Sequence, residues 1–168
     1  KYLDSWVYNY IHRNDHMPQP VPPMPPLPLD RDGGQDDPSV DQSALTAAEK
    51  AAKYDWTTPA AARHSCRVIA DEEGLTVAQK NLMSQVIHCE SGYYIGAKHD
   101  NGTSIDAGIC QWNSHYHGQE ITTEEAFNNP EKAVRLMCQY VKAGKINQWV
   151  CYIAKTPDGK HLYERYTP

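Results

Sequence analysis

Residues 90 to 113 read Glu90-Ser91-Gly92-Tyr93-Tyr94-Ile95-Gly96-Ala97-Lys98-His99-Asp100-Asn101-Gly102-Thr103-Ser104-Ile105-Asp106-Ala107-Gly108-Ile109-Cys110-Gln111-Trp112-Asn113. The stretch opens on an acid that closes a helical pattern. A second acid, Asp106, follows beyond a polar turn. Two carboxylates in unlike settings, close in sequence across a turn, are what glycoside hydrolysis requires.

Glu90 stands on the same helical face as Met83 and Ile87. Burial there disfavours the carboxylate and raises its pKa. The negative end of the helix dipole acts in the same direction. An acid kept protonated near neutral pH can donate its proton to a glycosidic oxygen. The plain alternative is a helix-end Glu turned to water. Asp106 has Thr103 and Ser104 for neighbours. Such a polar setting keeps an Asp ionised, able to stabilise an oxocarbenium-like transition state or to attack as a nucleophile. Its plain alternative is a turn residue bonded to local backbone.

Outward from this stretch the pattern is helical. Thr58-Pro59 is an N-cap followed by a favoured first residue, with Ala62, Cys66 and Ile69 as the buried stripe and Gly74 as the stop. Thr76 and Gln79 form a capping box, and the helix they open runs through Leu82, Met83, Val86 and Ile87 to Glu90. Asn129-Pro130 opens another, with Ala133, Val134, Met137, Cys138 and Val141 inward and Gly144 beyond its end. A last short helix holds Ile146, Trp149, Val150 and Ile153. Residues 92 to 118 have no helical period. Asp100-Asn101-Gly102 signals a turn, and the alternation of Ile105, Ala107 and Ile109 predicts a short hairpin.

The N-terminal quarter is different in kind. Residues 1–16 place Tyr2, Leu3, Trp6, Val7, Tyr10 and Ile11 on one face, an amphipathic anchor segment that needs something to pack on. Residues 17–42 form a linker. Its first part carries seven prolines between 18 and 28 and is expected to be an extended polyproline II spacer; its second part is acidic and flexible. The globular domain begins at 43, and Thr46 with Glu49 has capping-box spacing. The chain starts at Lys1 and shows no signal-peptide pattern or long apolar run, which fits a processed or trimmed piece.

Composition narrows the function classes. The 168 residues suit one domain with appendages, and a formal net charge of −5 without any basic run argues against nucleic acid as a partner. Eleven Tyr and four Trp against one Phe suit sugar faces and half-buried positions equally. The cysteines are Cys66, Cys89, Cys110, Cys138 and Cys151, an odd number. Buried thiols are the default, with one or two disulfides open if the protein is exported. His115-Tyr116-His117 lacks further ligands at metal-binding spacing, so no metal is expected. Cys89 and His88 are adjacent on a helix, about 100° apart, and cannot form a thiol–imidazole dyad.

Glu90-Ser91, a turn, then Asp106-Ala107-Gly108-Ile109-Cys110-Gln111-Trp112-Asn113-Ser114 resembles the lysozyme-like superfamily. Chicken-type lysozymes carry a catalytic Glu-Ser followed at a similar interval by Asp-Tyr-Gly-Ile-Leu-Gln-Ile-Asn-Ser. Bacterial lytic transglycosylases share the Glu-Ser and a Gly-Leu-Met-Gln-type run. The resemblance covers the helix before Glu90 through Ser114, and more loosely the helices to Ile153. It implies an α+β, predominantly helical, lysozyme-like domain over 43–168 with a small β-hairpin.

The activity implied is cleavage of the β-1,4 bond between N-acetylmuramic acid and N-acetylglucosamine in peptidoglycan, without metal or organic cofactor. Glu90 would be the general acid and Asp106 the second carboxylate. Ser91 would hold the acid or the hairpin, Gly108 would allow close backbone approach, and Ser91, Gln111, Trp112, Asn113 and Tyr152 would form the substrate-binding set. Peptidoglycan glycan strands would be the partner, in an extracytoplasmic location. Departures are visible: Ala107 replaces an aromatic, the four-disulfide pattern is absent, and Ala154-Lys155 stands where transglycosylases carry Ala-Tyr-Asn. Tyr152, Tyr163 and Tyr166 are candidates for the tyrosine that the latter place near their Glu. Two further readings stand beside the enzyme: an inactive lysozyme-like glycan-binding or structural protein, and a component of a phage tail or secretion assembly docked through residues 1–28.

Overall fold

A computed structural model of the chain describes residues 53–166. The anchor, the linker and the capping box at Thr46 lie outside the described residues.

Two helices lead to the site, and each begins as its sequence predicts. Helix α1 spans Pro59–Glu72; Thr58 Oγ1 accepts from Ala61 N at 3.1 Å and Pro59 takes the first position. Helix α2 spans Val77–Ser91, and both halves of its capping box form: Gln79 N donates to Thr76 Oγ1, and Thr76 N donates to Gln79 Oε1. Three short antiparallel strands follow in the order β1-β2-β3: β1 (Lys98–Asp100), β2 (Ile105–Ala107) and β3 (Trp112–Asn113). The first two are the predicted hairpin; the third is an addition to it. Helices α3 (Ser114–His117), α4 (Thr123–Asn128), α5 (Pro130–Lys142) and α6 (Val150–Ile153) complete the described elements with 3₁₀ turns at Ile146–Gln148 and Leu162–Arg165. The domain is thus mostly helical with a small three-stranded antiparallel sheet.

Three differences from the sequence reading have local causes. Helices α3 and α4 form where no helical period was read, because caps rather than apolar spacing start them. Asn113 Oδ1 accepts from His115 N and Tyr116 N, and Thr122 with Glu125 makes a capping box. The expected helix over 146–153 is broken at Trp149, whose backbone is extended (φ −93°, ψ 135°).

Helix α5 lies against α1, α2 and α4. Its Ala133, Val134, Met137 and Cys138 are wholly buried together with Ile69, Val86, Ile87, Ile109 and Trp112. Each such large side chain contributes about 1.5–3 kcal/mol of burial.

On the outer side, Arg135 binds Glu72 at 2.7 Å, Glu73 at 3.0 Å and Glu131 at 2.9 Å, while Tyr54 donates to Glu72 at 2.6 Å. Partial burial alone would raise the Glu72 carboxyl; hydrogen bonds from Lys53, Tyr54 and Arg135 outweigh it and hold the pKa at about 2. A carboxyl held below its unfolded value stabilises the fold above that value and loses the effect as pH falls through the native one. Melting temperature is therefore expected to fall between about pH 4.5 and pH 2. Arg135→Gln should remove about 1–2 kcal/mol at neutral pH, discounted for solvent screening, and flatten that acid limb. An unchanged limb in Arg135→Gln would contradict the assignment.

Candidate functional site

Helix α2 carries Glu90 into the interior on the stripe of Met83, Val86 and Ile87, all at most 1% exposed. Glu90 is 5% exposed, and its Oε1 accepts the backbone N–H of Cys151 at 2.9 Å. Burial opposes its ionisation and this N–H contact favours it. Gly92 ends the helix in the left-handed region, and its N–H returns to His88 O. Tyr93 is also left-handed (φ 65°) and buried; its Oη donates to Ser84 O at 2.8 Å and lies 2.6 Å from Ser84 Oγ. The reversal after Glu90 is therefore locked on both sides.

Ser91 fastens this helix end to the sheet region. Its Oγ lies 2.6 Å from Ile109 O and 3.2 Å from Ile87 O as donor, and accepts from Tyr93 N. Its hydroxyl holds the turn that follows the hairpin.

Asp106 sits in β2, paired with His99 of β1 and Asn113 of β3. Asn113 Nδ2 donates to its Oδ1 at 2.7 Å and Asn101 Nδ2 to its Oδ2 at 3.1 Å. Both amides also reach Ser104 Oγ. Both oxygens of Asp106 therefore accept from amide donors. Asn101 was read only as a turn residue. It stands diagonal to Asp106 across the hairpin, where His99 is the direct partner, and that diagonal reach gives it a second role.

The other expected substrate contacts are placed differently. Trp112 lies in the core: it is 2% exposed, its Nε1 donates to Ala133 O, and Trp149, Tyr140 and His117 pack edge-on to it. Gln111 is 7% exposed with φ 53°, and its amide donates to Ala97 O and Gly108 O, which closes the turn over 108–111. Asn113 is occupied at both ends, with Asp106 and with the N-terminus of α3. It positions the carboxylate. Tyr152 is half-buried in a parallel stack, 5.4 Å from Tyr163 and 5.6 Å from His161. Of the three candidate tyrosines, Tyr166 is the one whose phenol feels the Glu90 charge; burial first, then Glu90, raises its pKa. Its ring lies 4.6 Å from His88.

Cys89 and Cys151 form a disulfide. Cys66, Cys110 and Cys138 are buried free thiols, and burial pushes the Cys138 thiol up to about 12, far from thiolate chemistry. The pairing escaped the sequence reading because its partners are 62 residues apart. His117 is buried against Trp112 while His115 is exposed, so the two do not converge as ligands. A groove of about 480 Å³ along α5, lined by Glu120, Lys132, Arg135 and Gln139 among others, contains neither acid.

The chain matches no protein-family model, no curated protein and no solved structure.

Proposed function

We propose that this domain is a peptidoglycan-cleaving glycosidase of lysozyme-like fold. It cuts the β-1,4 bond between N-acetylmuramic acid and N-acetylglucosamine, with Glu90 as general acid. The observation that carries the reading is the contrast between the two acids. Glu90 is buried at a helix end with the Cys151 N–H on its Oε1, and Asp106 is half-buried with amide donors on both oxygens. Environments that separate two carboxyls in this way divide the roles of acid and anion.

In the reaction Glu90 gives its proton to the glycosidic oxygen as the bond breaks. Asp106 meets the positive charge that grows on the sugar ring. Asn101 and Asn113 keep Asp106 oriented, so little reorganisation is needed as the charge develops. An extracytoplasmic location is part of the proposal; the disulfide supports it, because such bonds persist in oxidising compartments. Among the described residues no helix is long and apolar enough to cross a membrane. Glycan strands of the wall are the proposed partner, and residues 1–28 are the proposed attachment to any larger assembly.

The test is Asp106→Asn, assayed by clearing of cell-wall suspensions with the full chain. Loss of the ionised partner is expected to slow clearing by about a hundredfold. A loss of only a few-fold, with anhydromuramic ends in the product, would replace hydrolysis by transglycosylation, which needs Glu90 alone. Asn at 106 also sets amide donor against amide donor, so a small drop in melting temperature is expected beside the kinetic effect.

A further inference from the structure

We infer that the Cys89–Cys151 disulfide is a positioning device for the acid, holding the Cys151 N–H on Oε1 of Glu90. The inference rests on the reading of Glu90 as general acid. Cys89 is the residue before Glu90 on α2, and Cys151 is the residue whose N–H touches the carboxylate. The covalent bond and the hydrogen bond therefore close one small ring around the acid.

Helix α6, which presents this N–H, has four residues and no side-chain cap. Such a piece has no helical stability of its own. Trp149 Nε1 donating to Cys110 O at 2.6 Å anchors its start, and the disulfide anchors the residue that matters to Glu90. Without the S–S bond the N–H···O contact loses its brace, and the carboxyl gains freedom to turn from its productive direction.

The kinetic sign follows from the donor. An N–H on a carboxylate favours the charged form. A general acid must carry its proton, so the rate falls on the alkaline side as Glu90 ionises. Weakening the N–H contact moves that alkaline limb to higher pH. Among the described residues, Cys110, from the turn after β2, and Tyr166, beyond the last 3₁₀ turn, are titratable groups that feel the Glu90 charge. Burial raises both, so neither charges in the assay range. His88, packed on Tyr166, is held below the ordinary histidine value by burial and by Arg63, and titrates on the acid side.

The test uses the full chain treated with dithiothreitol. The dithiol supplies two electrons and two protons to the S–S bond and itself becomes a cyclic disulfide, leaving Cys89 and Cys151 as thiols. Maleimide labelling after denaturation, followed by mass measurement, reports reduction: three thiols label while the bond is intact and five once it is reduced, because Cys66, Cys110 and Cys138 are free throughout. Clearing is expected to fall about tenfold in step with reduction. The alkaline limb should rise by roughly half a pH unit with an unchanged far-ultraviolet dichroism spectrum. Re-oxidation should restore both, and Cys89→Ala/Cys151→Ala should show the same values permanently. Full reduction with rate and limb unchanged would overturn the inference. So would global loss of the dichroism signal, since the bond would then hold the whole fold and not one contact. Amide exchange at Cys151 reads the positioning without any activity: it should quicken about tenfold on reduction, and unchanged exchange would overturn the inference. Absence of clearing by the untreated protein would count against the glycosidase reading alone, and the exchange result would still decide this one.

Discussion

Glu90→Gln is expected to fold normally and to clear cell-wall suspensions roughly a thousandfold more slowly than the parent, the range general acid catalysis covers. The substitution is nearly isosteric. A Gln carbonyl oxygen accepts the Cys151 N–H as the carboxylate does, so the contact at 2.9 Å survives. What is lost is the transferable proton. Because Glu90 is only 5% exposed and carries its proton in this reading, a neutral amide of the same shape buries no new charge, and melting temperature should hold steady. Loss of activity with retained stability separates a catalytic acid from a structural one. Full activity in Glu90→Gln would remove the residue from its role.

Gly108→Ala is expected to be the most damaging small substitution in the domain. Gly108 has φ +70°, and a Cβ there would stand 2.0 Å from Ala126 O and 2.7 Å from Ala126 C. Both are backbone atoms of α4, so no side-chain rotation relieves the clash. Left-handed backbone costs a non-glycine about 1–2 kcal/mol, and overpacking adds about 1–3 kcal/mol. A fall in melting temperature of about 10–20 °C follows. The turn that Gly108 opens carries Ile109 O, the acceptor for Ser91, so activity should fall more steeply than stability. Gly74→Ala is the control: it shares φ +70° but has open space around its Cβ, and should cost only about 1 kcal/mol. Equal stability losses in the two variants would refute the close-approach account.

Much of the scaffold was legible because it rests on short-range chemistry. Thr58-Pro59, the Thr76–Gln79 box and the stripe ending at Glu90 each state a local rule that tertiary packing then respected. The Thr122–Glu125 box is the local signal for a helix of six residues, too short to carry an apolar period. The burial of Glu90 was legible from its helical face, while the surroundings of its neighbours in the motif were less so. Trp112, Gln111 and Asn113 lie in the motif, but whether a motif side chain faces a ligand or the core depends on which element covers it. Helix α5 covers Trp112, and the turn over 108–111 consumes the amide of Gln111. The Cys151 contact was beyond reach, because nothing local to residue 151 signals a partner at 89 or 90.

The central claim is that Glu90 and Asp106 together break the glycan strand of the bacterial wall. Incubating the full chain with purified sacculi and weighing the released muropeptides tests it most directly. The account predicts disaccharide muropeptides with reducing N-acetylmuramic acid ends, absent when Glu90→Gln is used instead. Sacculi left intact by the parent protein, or cut only at peptide bonds, would contradict it.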